Sequence, residues 1–241
     1  MKKKIYIGTS GFSYKHWQKR FYPTDVKSKD FLKYYEKFFK TVEINNTFYR
    51  LPTKKALLNW QDEVGNDFKF SVKASRFITH IKRLKEPKKH LNLFLNRVKH
   101  LKPNLGPILF QLPPNWKLDI KRLDKFLKAL DKNYKYAFEF RDRSWITKDT
   151  LKLLKKHKAA FCIYDLEGYK TPFEVTSNFV YIRLHGPKKA YSGKYSKNAL
   201  QKWAKIIKNF QKDKFLVFCY FNNDENAYAV KNAIDLLKIM S

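Results

Sequence analysis

At 241 residues, with 44% apolar and 17% aromatic residues, the chain can bury a full core, which excludes disorder and any need for disulfide or metal staples. The formal charge of +31, from 52 Lys and Arg against 21 Asp and Glu, predicts attraction to polyanions but is also what a Lys-coated helical surface gives. No stretch approaches the roughly 20 apolar residues of a membrane-spanning helix. The N-terminal run Met1–Gly8 is charged but only briefly apolar, unlike a signal peptide, so a soluble, cytoplasmic protein with no membrane partner is expected.

Along the chain, β-branched and aromatic runs predict strands at 5–8, 42–46, 68–73, 107–112, 136–140, 161–164, 179–184 and 215–221. Amphipathic helical segments fall between them. Ser28 is placed to cap a helix whose Phe31, Leu32, Tyr35, Phe38 and Phe39 share a face. Further helices open at Thr53, Pro87, Asp119, Thr147, Ser196 and Asp224. The stretch after Tyr164 holds Gly168, Pro172 and Ser177 without helical period, and reads as a loop. Eight strands alternating with seven helices predict an α/β fold, a (β/α)8 TIM-type barrel of one domain over residues 1–241, the helix after strand 6 replaced by a loop. A doubly wound sheet is the alternative, but Gly8-Thr-Ser-Gly11 does not fit a dinucleotide-binding turn and no phosphate loop of the Walker type is present.

Several of these strands end in polar or charged residues, which a buried run does not carry without a reason. In a barrel such ends converge on the C-terminal face. Glu43 and Glu139, each flanked by apolar neighbours, and His185 at a strand end are the catalytic candidates for acid–base work. Lys73, Arg141 and Arg183 would hold an anionic group, Arg in bidentate fashion. Asn45, Tyr49, Gln111 and Asn222 would fix a substrate in register. Trp145, Tyr14 and Trp17, in loops after strands, offer rings for stacking on a base or sugar. His16 and His80 follow strands and could enter the site, whereas Asn223-Asp224 can also be read as a helix cap.

No organic cofactor is expected. Histidines at metal-binding spacing are absent, so no metal site is assigned; one Mg²⁺ on Glu43, Glu139 or Asp165 is the metal alternative. Cys162 and Cys219 lie inside strands, where a thiol behaves as a small apolar group.

At these residues the chain resembles the YecE-like family, domain of unknown function 72. The likeness runs through Ile7-Gly-Thr-Ser-Gly-Phe12, Val42-Glu-Ile-Asn-Asn-Thr-Phe-Tyr49, Phe70-Ser-Val-Lys73, Gln111-Leu-Pro-Pro114, Phe138-Glu-Phe-Arg-Asp-Arg-Ser-Trp145, Tyr181-Ile-Arg-Leu-His-Gly186 and Tyr220-Phe-Asn-Asn223. It implies a TIM-type barrel and supports the pocket residues above, but supplies no reaction. Two functions follow as expectations. One is an enzyme, a hydrolase or phosphodiesterase-like activity on a phosphate- or carboxylate-bearing substrate, such as a phosphoester of a nucleotide, nucleic acid or sugar. The other is a non-catalytic nucleic-acid-binding protein using its basic surface and loop aromatics.

Overall fold

The computed structural model describes residues 4–241. The strands are β1 (Ile5–Thr9), β2 (Thr41–Ile44), β3 (Lys69–Lys73), β4 (Leu105–Leu112), β5 (Tyr136–Phe140), β6 (Ala160–Leu166), β7 (Tyr169–Lys170), β8 (Phe179–Leu184) and β9 (Leu216–Phe221). All but β7 pair in parallel, in the order β1-β9-β8-β6-β5-β4-β3-β2, and a parallel bridge between Ser10 and Glu43 links the two ends. The result is a (β/α)8-type barrel. Its helices are α1 (Phe31–Glu36), α2 (Lys54–Asp62), α3 (Pro87–Val98), α4 (Ile120–Lys128), α5 (Lys148–Lys156), α6 (Lys197–Lys212) and α7 (Tyr228–Met240). As the composition predicted, no helix follows β6; the two-residue β7 folds back antiparallel onto it, and irregular chain leads to β8.

Side chains alternate across a strand, so each strand supplies two cores. Phe138 and Phe140 of β5 face outward with Val42, Val72, Phe110 and Ile182 into a layer shared with the helices. Tyr6, Leu109, Ala137, Cys162, Phe179, Tyr181, Phe218 and Tyr220 form a separate cluster within the barrel. The apolar inner cluster sits beneath Glu43, Glu139 and Arg183, which follow the same inward phase further along their strands. Both cysteines are buried and free.

The junction between β1 and β2 is closed by unusual means. A Cβ on Gly8 would lie 2.3 Å from the Thr41 carbonyl oxygen, so only glycine lets the strands approach this closely. Tyr35 of α1 reaches into the gap. Its hydroxyl accepts from the Thr9 N–H at 3.0 Å and donates to the Thr41 carbonyl at 3.1 Å. It thereby satisfies strand-edge groups that have no ladder partner.

The helix starts at Thr53, Asp119, Thr147 and Ser196 are capped by those side chains, accepting from the N–H three residues on. Two expected caps are not made. Ser28 opens a 3-10 turn, Ser28–Asp30, that leads into α1, and its hydroxyl caps neither segment. Asp224 gives its carboxylate to the Trp17 indole N–H at 2.6 Å and to His16 at 2.9 Å, leaving the following turn uncapped.

Tyr35→Phe removes the bridging hydroxyl without changing packing volume. Urea unfolding should show a loss of about 1–3 kcal/mol, the cost of stranding buried backbone groups. An unchanged midpoint would show that the junction does not depend on it.

Candidate functional site

At the centre of the barrel lies an arginine shut away from water. Arg183 of β8 is 1% exposed, and Glu43 of β2 and Glu139 of β5 are 0% exposed. One guanidinium nitrogen, Nη2, donates to Glu43 Oε1 at 2.7 Å; the other, Nη1, donates to Glu139 Oε2 at 2.6 Å. A buried cation is tolerable only with such paired, hydrogen-bonded anions. Glu43 also accepts from the Ser10 hydroxyl on Oε1 and the Tyr181 hydroxyl on Oε2, each at 2.6 Å. Arg183 Nε has no partner among the described residues.

A second layer closes over this triad. Arg141, just past β5, donates through Nε to the free oxygen of Glu139. Its guanidinium also lies over the Tyr164 and Tyr191 rings. His185, just past β8, is fully buried. Its Nε2 lies 3.0 Å from Arg141 Nη2 and 3.3 Å from Glu139 Oε1, and its Nδ1 lies 3.1 Å from the Asn222 amide. With the Asn222 Nδ2 donating to Nδ1, the ring carries its proton on Nε2 toward Glu139; a proton on Nδ1, with Arg141 donating to Nε2, requires the Asn222 amide turned to present its oxygen. Lys73, the last residue of β3, stands with its ammonium 4.2 Å from the centre of the Phe48 ring.

These surroundings set the charges. Burial alone would raise the Glu139 carboxyl, but Arg141, Arg183 and His185 together hold it well below the ordinary 4.5. Burial, reinforced by the two arginines, pushes the His185 imidazole down to about 3 despite Glu139. Burial and the Arg183 charge push the Lys73 ammonium down to about 8. At neutral pH Glu139 is thus an anchored anion and His185 a neutral ring. Neither is poised to give up a proton. Lys73 is the member of the cluster that titrates close to neutrality.

The sequence-predicted residues separate into three groups. Glu43, Glu139, Arg141, Arg183, His185 and Asn222 form one hydrogen-bonded network, with Lys73 beside it. Gln111 lies next to Glu139 in register, its amide N–H on the Leu112 carbonyl. Asn45 and Tyr49 lie to the side, bordering a cavity of about 680 Å³ between the β1–α1 loop and α2 that does not touch the charged network.

Trp145 is a correction. It is fully buried, stacked on Phe140 at 5.2 Å, and its indole N–H is bonded to the Trp116 carbonyl, so it cannot stack on a ligand. Trp17 is likewise sealed, by its bond to Asp224, and His16 is engaged by the same carboxylate. Tyr14 is half-buried and borders the cavity. His80 stays outside the network against Phe48, pushed down to about 4 by burial and Lys73. Asn223 caps no helix; its amide N–H groups bind the Gly193 carbonyl and Asn232.

Missed by the sequence reading were Ser10, Tyr181 and Tyr191. The alternation Tyr181, Arg183, His185 would have placed Tyr181 on the inner face. Tyr191 sits in an irregular loop with φ of 61° and is 48% exposed, so no periodicity marks it.

A metal does not fit the carboxylates. The oxygens of Glu43 and Glu139 already accept from guanidinium or hydroxyl groups. Asp165 belongs to a different environment, facing Lys170. No group of three His, Cys, Asp or Glu side chains able to hold an ion occurs among the described residues.

A parallel barrel with a buried ion cluster under the C-terminal ends of its strands defines the general class. The chain belongs to the family described as Protein of unknown function DUF72, which it matches over residues 6–241. It is 27% identical to the UPF0759 protein YunF of Bacillus subtilis, over 98% of this chain and 94% of that protein. It is 30% identical to the UPF0759 protein YecE of Escherichia coli, over 60% of this chain; that match spans only about half, 51%, of YecE. A crystal structure of a DUF72 family protein from Thermotoga maritima superposes with a TM-score of 0.89 at 28% identity, covering 98% of each chain. One from Enterococcus faecalis shares the fold at a TM-score of 0.82 and 20% identity. Among the described residues no helix is long and apolar enough to cross a membrane.

Arg183→Met would leave two carboxylates buried without their shared cation. Chemical denaturation at pH 7 should show a loss of about 3–5 kcal/mol. Adding Glu43→Gln and Glu139→Gln to that variant should recover part of it. A loss below about 1 kcal/mol would mean that the triad contributes as little as an exposed ion pair.

Proposed function

We propose that the barrel mouth binds the anionic group of a small-molecule substrate, a phosphoester or a carboxylate, and that Lys73 carries the proton in acid–base chemistry there. One observation carries this. The cluster holds three cations (Lys73, Arg141, Arg183) against two carboxylates (Glu43, Glu139), and both carboxylates are bound by Arg183. Lys73 has no carboxylate within ion-pair distance among the described residues. The surplus positive charge rests on a desolvated ammonium beside an aromatic ring.

An anion entering between Lys73 and Arg141 would neutralise that surplus and replace lost hydration. An ordinary lysine is almost wholly protonated at neutral pH. One held near 8 has a neutral fraction able to accept a proton or attack a carbonyl, and a protonated fraction able to donate. Glu139 would fix Arg141 and the His185 ring in place, and Glu43 would hold Arg183. The sequence-level assignment of proton transfer to Glu139 or His185 is thereby moved to Lys73. The +31 charge still predicts weak, salt-sensitive contact with nucleic acid. The stacking half of that reading loses Trp145 and Trp17, whose rings are in the core.

Sulfate, which does not titrate in this range, is the probe. Calorimetry should show sulfate binding that weakens as pH rises through about 8, as Lys73 loses its charge, and that Lys73→Met abolishes. Against a panel of phosphoesters and carboxylate esters, Lys73→Arg should keep binding but lose turnover. Undiminished turnover in Lys73→Arg would reject lysine as the proton carrier.

A further inference from the structure

The cavity of about 680 Å³ beside the charged network is not used by the anion site. Phe12, Tyr14 and Trp60 supply aromatic walls, and Asn45, Asn59 and Glu63 supply polar ones. Its size and its mix of ring faces with a few hydrogen-bonding groups are those of a small-molecule pocket. Trp60 stands edge-on to Phe12, with ring centres 6.1 Å apart, which fixes its orientation.

The cavity and the anion site share a partition. The chain from Asn45 to Tyr49 borders the cavity through Asn45, Asn46 and Tyr49, while Phe48 in the same turn supports the Lys73 ammonium at 4.2 Å. Thr47 fastens that turn to β3 by donating to the Lys73 carbonyl at 2.6 Å. On the other side, the Tyr14 hydroxyl bonds to the Ser10 carbonyl, and the Ser10 hydroxyl bonds to Glu43. The turn from Asn45 to Tyr49 thus adjoins both.

The polar groups lining the cavity mix donors and acceptors: Lys29, Asn46 and Asn59 offer N–H groups, and Ser13 and Ser28 offer hydroxyls. Glu63 adds a half-buried carboxylate with no ion-pair partner among the described residues. Hydroxyl groups, which donate and accept together, match such a set. The apolar faces of a sugar ring match the aromatic walls.

We infer that this cavity is a subsite for a polyhydroxylated ring, so that the ligand of the barrel mouth is a sugar phosphate, ring against Trp60 and phosphate between Lys73 and Arg141. The inference rests on the anion site proposed above for the position of the phosphate, but the ring subsite is testable by itself.

The experiment compares ribose 5-phosphate and glucose 6-phosphate with inorganic phosphate by calorimetry at pH 7, on the wild-type chain, Trp60→Leu and Asn59→Ala. At least one sugar phosphate should bind about tenfold or more tightly than inorganic phosphate. Trp60→Leu should bring it to the level of inorganic phosphate while leaving inorganic phosphate unaffected. Asn59 is exposed, so Asn59→Ala gives the same comparison should the tryptophan variant not fold. Equal affinity for sugar phosphates and inorganic phosphate, or no loss in either variant, overturns the inference. A nucleoside monophosphate binding tenfold tighter than ribose 5-phosphate overturns it in favour of a base. If inorganic phosphate does not bind at all, the anion site fails. The ring subsite is then read from saturation-transfer NMR with neutral methyl glycosides: a signal lost in Asn59→Ala supports it, and no signal overturns it.

Discussion

A guanidinium that cannot reach water must find its counter-charge inside the protein, and most of the site follows from how Arg183 does so. Its two terminal nitrogens reach to β2 on one side and β5 on the other, at 2.7 and 2.6 Å. The barrel is thereby cross-braced through its interior by an ionic strut. Such a strut is not an efficient source of stability, because the desolvation of three charges offsets much of their attraction. Its effect is on specificity of arrangement. Glu139 is held ionised, and both carboxylates are held in fixed positions, unavailable for other partners.

The same carboxylate ties the strut to the closure of the barrel. Glu43 takes part in the backbone bridge to Ser10, its carbonyl accepts from the Gly11 N–H at 2.7 Å, and its side chain accepts from the Ser10 hydroxyl. One turn below, Gly8 and Tyr35 bring β1 and β2 together. The junction and the ion cluster are one construction. A change that opened the first would remove a hydrogen bond from the second. Above them, Arg141, His185 and Lys73 inherit a site whose anions are already committed, which is why Lys73 is left desolvated and, among the described residues, without a carboxylate partner.

How much of this could be read from the sequence depended on whether the information was periodic. The strands at 136–140 and 179–184 coincide with β5 and β8 because inner and outer residues alternate there without interruption. The strand-end residues Glu139, Arg141, Arg183 and His185 were recognisable because charge within an apolar run is costly. What remained illegible was contact between distant segments. Trp145 and Trp17 looked like loop aromatics, and only their hydrogen bonds to Trp116 and Asp224 show them to be core. Ser28 and Asp224 had the chemistry of caps, but the chain enters α1 through a 3-10 turn and Asp224 is claimed by Trp17 and His16. The chemical character of Lys73 depends on Phe48, Arg183 and burial, none of which spacing encodes.

The central claim is that the barrel mouth keeps one lysine ammonium desolvated and in surplus over its carboxylates. Reductive ¹³C-dimethylation followed by NMR titration measures this directly, with the Lys73 resonance assigned by its loss in Lys73→Arg. The account predicts that this signal titrates near pH 8, well below the ordinary lysine value of about 10.4. A Lys73 signal that titrates together with the surface lysines would contradict it.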